Sequence, residues 1–186
     1  RSRCAATALA APVLPTPGKD WLRAAMEFSC ACMAFQSPRL CAIQGLSLAR
    51  ALAAWGERPT PRFTAALMAA ALPSAAAAAN AAMAGLANDL RPAPAAACPL
   101  TPGELTDLLA ALVALRAEPP ADWLAAAEAE LGSGVAIDSL TPSQVVQALT
   151  ALAWLRHLPQ RGFVVACLQR LRQLAQEANR ASGSGG

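Results

Sequence analysis

Leu100-Thr101-Pro102-Gly103-Glu104-Leu105 recurs forty residues on as Leu140-Thr141-Pro142-Ser143-Gln144-Val145. The agreement continues downstream. Ala114-Leu115-Arg116 aligns with Trp154-Leu155-Arg156, Pro119 with Pro159, and Trp123 with Phe163. An earlier copy begins near Ser37 and keeps Ala54-Trp55 and Pro59-Thr60-Pro61-Arg62-Phe63. A partial copy opens as Pro15-Thr16-Pro17-Gly18-Lys19-Asp20-Trp21. A period near 40 that holds two helices is the mark of an α-solenoid, in which each unit buries its apolar face only against its neighbours.

Local chemistry supports this. Thr101 and Thr141 are placed to accept a hydrogen bond from the backbone N–H three residues on. Pro102 and Pro142 fall at the first helical position, where no N–H is needed. Glu104 and Gln144 complete a capping box. Leu105, Leu108, Leu109 and Leu112 then repeat at 3, 1 and 3, as do Val145, Ala148, Leu149 and Leu152, the pattern of one buried helix face. Pro119-Pro120 and Pro159 end one helix and set up the next, whose first turn carries Trp21, Phe63, Trp123 or Phe163. Recurrence at one place in every unit assigns that ring to packing between helices, with base stacking as the alternative. The last helix is predicted to bury Val164, Leu168, Leu171, Leu174 and Ala178 and to expose Gln169, Arg172, Gln173, Gln176 and Arg180. The expected fold is all-α, a short α-solenoid of stacked helical hairpins with seven or eight helices.

Composition agrees. Of the 186 residues 55% are hydrophobic, but roughly a quarter of the chain is alanine, the strongest helix former. Aromatic residues are 4% and tyrosine is absent, too few for a β-sandwich or barrel core. No charge lies between Arg62 and Asp89, yet the stretch is mostly alanine and is broken by Pro73, Ser74, Asn80 and Gly85. A spanning helix wants leucine, isoleucine or phenylalanine, so closely packed helices explain it better than a membrane span.

The net charge of +3 identifies no partner, but its distribution is uneven. Residues 1–100 carry nine basic residues against four acids, and 151–186 carry five against one. Between them, Arg116 alone faces seven acids. Lys19 is the single lysine. Arginine grips phosphate as a planar fork, although GC-rich coding favours the same residue. The cysteines, Cys4, Cys30, Cys32, Cys41, Cys98 and Cys167, show no zinc-ligand spacing and read as free, mostly buried thiols. The one histidine, His157, has no carboxylate or nucleophile close in sequence. No phosphate-binding glycine loop is present, so no enzyme, metal or cofactor is expected.

Leu-Thr-Pro-x-Glu-Leu, a leucine/alanine helix, and then Pro119-Pro120-Ala121-Asp122-Trp123-Leu124 resemble the octotricopeptide repeat of green algae. The resemblance covers about two thirds of the chain: two clear copies over 100–175, a degenerate one over 37–72 and a half copy over 12–34. The copies here run slightly longer than the family's repeat. It implies tandem helical hairpins, RNA binding, and organelle gene expression in mitochondria or chloroplasts.

The organisation expected is an N-terminal extension (1–13), degenerate repeats (14–72), an insertion (73–99), two repeats (100–180) and a flexible tail (181–186). The insertion reads as a helix over 74–90 and a proline-rich linker. Arg1 to Pro12 hold arginine, serine and alanine without an acid, like the remnant of an organellar transit peptide, and the sequence leaves open a longer parent protein. The functional expectation is a non-catalytic RNA-associated component of a ribonucleoprotein such as a mitochondrial ribosome. It would lie in the mitochondrial matrix or, alternatively, the chloroplast stroma. Ribosomal or other organellar RNA would be held by its phosphates at Arg39, Arg58, Arg62, Arg156, Arg161, Arg170 and Arg172, beside neighbouring protein subunits, with no membrane and no small-molecule substrate. The competing reading is a scaffold that binds only protein, and the discriminator is whether these arginines converge on one face.

Overall fold

The computed structural model describes residues 18–35, 38–72 and 100–183. Eight helices and no strand stand among them. They are α1 (Lys19–Phe35), α2 (Pro38–Trp55), α3 (Pro61–Ala71), α4 (Pro102–Ala114), α5 (Ala121–Gly132), α6 (Gly134–Ser139), α7 (Pro142–Trp154) and α8 (Arg161–Gly183). The N-terminal extension and the insertion lie outside the described residues, and α8 runs into the segment expected to be a tail.

The caps form as the sequence dictates. Glu104 N donates to Thr101 Oγ1 at 3.3 Å while Glu104 Oε2 accepts from Thr101 N at 2.7 Å. In the last unit Gln144 N donates to Thr141 Oγ1 at 3.4 Å and Gln144 Oε1 accepts from Thr141 N at 3.0 Å. Thr60 caps α3 in the same manner, accepting from Phe63 N at 3.2 Å. Five backbone donors at helix starts are thereby satisfied by side chains.

The first helices of the hairpins, α2, α4 and α7, pack side by side in sequence order. The buried faces are Ala42, Leu46, Ala49 and Leu52 on α2, Leu105, Leu108, Leu109 and Leu112 on α4, and Val145, Ala148 and Leu152 on α7. Asp107 in the middle helix ties the layer together: Arg50 of α2 pairs with its Oδ2, and Gln147 of α7 reaches its Oδ1 at 3.5 Å. The second helices, α1, α3, α5 and α8, cover the layer's other side.

The second helices stack by one rule. Each starts beside the C-terminal half of the one before it. Trp123, near the start of α5, donates its Nε1–H to the carbonyl of Met68 in α3 at 3.0 Å. Phe163, near the start of α8, lies so close to α5 that a Cβ on Gly132 would meet its ring at 3.2 Å. Phe63, Trp123 and Phe163 are all buried, which assigns the repeated ring to packing. Trp21 is the exception at 58% exposed. The described residues hold no earlier second helix for it to pack against, while Leu22 beside it is buried.

Helix α8 corrects the expected stripe. Its buried line is Phe163 and Cys167, extended by half-buried Arg170, Leu171 and Leu174, whereas Leu168 is 58% exposed and Ala178 is exposed. Aligning Phe163 with α5 rotates the helix by about one residue relative to the phase that its leucines suggest. Among the described residues no helix is long and apolar enough to cross a membrane.

Candidate functional site

Each first helix ends in the same turn. The N–H of Ala117 bonds the carbonyl of Leu112 at 2.9 Å, and that of Arg116 bonds Val113 at 3.0 Å. His157 to Leu152 and Arg156 to Ala153 repeat the pair at 3.0 and 3.1 Å, and Glu57 to Leu52 and Gly56 to Ala53 do so at 3.0 and 3.2 Å. This is the Schellman arrangement, whose pivot must sit in the left-handed region and is usually glycine. Gly56 meets that demand with φ 69°. Arg116 and Arg156 occupy the same place with φ 53° and 57°, the two non-glycine residues with positive φ among the described residues. A Cβ in that conformation is disfavoured, so two arginines there mark the position for attention.

Because α2, α4 and α7 run parallel in one layer, their turns succeed one another along one edge. Arg58 is exposed in the first turn and Arg62 at the start of α3, Arg116 in the second turn, Arg156 in the third and Arg161 at the start of α8. Of the seven arginines singled out from sequence, four therefore meet on this edge, and Arg116 joins them. Arg39 does not. It lies at the far end of α2, some 27 Å of helix away, and its side chain is outside the described set. Arg170 and Arg172 lie more than two turns along α8. Arg172 is exposed there, but Arg170 is half-buried and its Nε is screened from solvent without a hydrogen-bond partner.

The acids of the middle segment are divided between this edge and the rest of the layer. Glu104 is held in the capping box, Asp107 pairs with Arg50, and Glu128 is buried. Glu130 sits by the start of α4 with Leu100 and Pro102, at the opposite edge. Acids do remain on the edge: Glu57 in the first turn, Glu118 and Asp122 near the second, and Glu128 bonded to the third.

His157 does have a carboxylate partner, which sequence distance concealed. Its Nε2 lies 2.7 Å from Glu128 Oε2, and Glu128 Oε1 accepts from the backbone N–H of Gln160 at 2.7 Å. The pair clamps the third turn to α5. Cys167 is fully buried nearby, and burial, reinforced by the negative charge of Glu128, pushes its thiol up to about 11. That is the reverse of nucleophile activation, which needs a depressed thiol pKa. Cys30 is half-buried and also raised, by burial first, with Arg62 opposing. Cys4 and Cys98, and the side chains of Cys32 and Cys41, lie outside the described set. Among the described residues no three His, Cys, Asp or Glu side chains gather as a metal site.

Two contiguous grooves run up to the turn edge between α4 and α7, sharing Val113 and Trp154. The larger, about 640 Å³, is apolar and lined by Ala110, Val113, Val146, Thr150 and Trp154 among others. The second holds Arg116, Glu118, Pro119 and Arg156. Trp154 stands 73% exposed at their junction. Sequence reasoning weighed the four rings at the starts of the second helices for stacking and passed over this one. Its signal is that the aligned residues Ala54 and Ala114 are small, so packing at this position does not require a ring. No family model, curated protein or solved structure matches this chain.

Proposed function

We propose that this chain is a non-catalytic, RNA-associated helical-repeat protein that holds RNA by its phosphates along the turn edge. The observation that carries the reading is the succession Arg58/Arg62, Arg116, Arg156/Arg161 on one edge, in which every turn presents at least one exposed arginine. Arginine in tandem units suits a polyanion with regularly spaced charges. The resemblance of residues 100–175 to octotricopeptide repeats supports the same reading. It also supports an organellar ribonucleoprotein as the setting, such as a mitochondrial ribosome with its rRNA, or the equivalent in a chloroplast stroma.

A second reading, a scaffold for protein subunits alone, is favoured by apolar side chains at both ends of the stack. Trp21 and Phe28 on α1 are 58% and 72% exposed, and Leu168 on α8, at the other end, is 58% exposed. Both kinds of contact are compatible in one assembly, since the ends and the turn edge are different surfaces.

The test is binding of RNA by the full chain across a salt series. The expected result is an affinity that falls steeply with salt. Replacing Arg58, Arg62, Arg156 and Arg161 together by glutamine should flatten the slope by roughly 0.7–0.9 per lost phosphate contact. Absence of salt-dependent binding, or a slope untouched by the four substitutions, would leave the scaffold reading in place.

A further inference from the structure

Trp154 is the largest exposed ring beside the arginine edge. It closes α7 at the mouth of the apolar groove, with Val146 and Thr150 on the turns below it and Val113 of α4 across from it. On its other side the groove passes between Arg116 and Arg156. A largely exposed indole, opening onto apolar walls and sharing its second groove with two guanidinium groups, matches the three parts of an unpaired nucleotide. The base is flat and apolar on its faces, and the phosphate on either side of it is an anion. Single-strand binders combine aromatic stacking platforms with basic tracks in this way.

The two arginines gain force from their backbone. Both occupy the left-handed pivot where the first hairpin has Gly56, and neither turn needs a side chain there. A strained backbone kept at two equivalent places, each projecting a cation at the same groove, is explained by what the cations hold. Their charge also decides between occupants. An apolar peptide would fill the larger groove but offers nothing to the second, whose lining sets two arginines against the single acid Glu118, whereas an RNA strand brings apolar base faces to the one and phosphates to the other.

We propose that the α4/α7 groove is a subsite for unpaired RNA, with one base stacked on Trp154 and its flanking phosphates held by Arg116 and Arg156. This rests on the RNA reading above and sharpens it from a phosphate edge to a single-strand site. Duplex RNA buries its base faces and could use the arginines only.

The experiment compares the full-length wild type with Trp154→Ala and Trp154→Phe on three probes: a short single-stranded oligouridylate, the same strand with abasic sites, and duplex RNA. Trp154 is largely exposed, so both variants should keep the wild-type unfolding midpoint. The expected result is a roughly tenfold loss of oligouridylate affinity in Trp154→Ala, near-wild-type binding in Trp154→Phe, and no change on the abasic or duplex probes. The wild type should also show tryptophan quenching on oligouridylate that Trp154→Ala lacks. Salt-dependent RNA binding that persists unchanged in Trp154→Ala overturns the subsite while leaving the phosphate edge standing. An equal loss on all three probes also overturns stacking. A wild type that binds none of the probes at low salt overturns the RNA reading itself and the subsite with it.

Discussion

Replacing Arg116 and Arg156 together by glycine should make the protein more stable and a poorer RNA binder. Both residues hold positive φ, at 53° and 57°, and a Cβ in the left-handed region costs about 1–2 kcal/mol. Glycine removes that cost but gives the unfolded chain more freedom, which returns about 0.4–1 kcal/mol. The net gain is about 0.5–1 kcal/mol per site. For a chain of this length about 1–2 kcal/mol is a rise of roughly 2–8 °C in the unfolding midpoint. The same change removes two phosphate contacts, so the salt slope for single-stranded RNA should flatten by about 1.4. Arg116→Ala with Arg156→Ala separates the two effects, because alanine drops the charge and keeps the Cβ. It should bind as poorly as the glycine pair and gain little stability. Thermal unfolding by circular dichroism and fluorescence anisotropy on labelled RNA measure the two quantities. A glycine pair no more stable than the alanine pair would refute the strain argument, and undiminished RNA affinity in both would refute the role assigned to the charges.

Three further outcomes follow from the packing. Trp123→Ala should cost about 3–5 kcal/mol by opening a cavity between α3 and α5, and Trp123→Phe about 1 kcal/mol by losing the indole bond to the Met68 carbonyl, which keeps its bond from the N–H of Leu72; urea unfolding midpoints check both, and two unchanged midpoints would return the ring to a surface role. Thr141→Ala should lose about 1 kcal/mol with its capping bond, detected as a lower midpoint that Thr141→Ser largely restores. Cys167 has a folded pKa above its ordinary value, so its contribution is complete below about pH 9 and is lost as pH rises toward about 11; the stability advantage of wild type over Cys167→Ala should shrink by of order 1–2 kcal/mol across that window, and an advantage constant with pH would mean that the thiol is not screened.

Features set by neighbours in the chain are legible in the sequence. Thr101 and Thr141 cap because the bonds they make span three residues, and Leu105 to Leu112 are buried because a helix repeats within that distance. What escapes is set by stacking. His157 meets Glu128 from 29 residues away, Arg50 meets Asp107 from 57, and Trp123 reaches Met68 from 55; no local rule constrains such pairs. The phase of α8 escapes for the same cause, since Phe163 is fixed by Gly132 of another helix and turns Leu168 outward against the leucine pattern. The turn edge lies between these cases. Gly56, Arg116 and Arg156 fall in one column of the repeat alignment, and glycine in that column at a helix end announces a left-handed pivot. A column that reads Gly, Arg, Arg sets the side chain against the backbone at two of three places. Where a fold accepts such a conflict repeatedly, the side chain's work outside the fold is the simplest reason for it. By the same reasoning Trp154, an aromatic where the other units keep alanine and where the structure leaves it uncovered, belongs with the arginines rather than with the core.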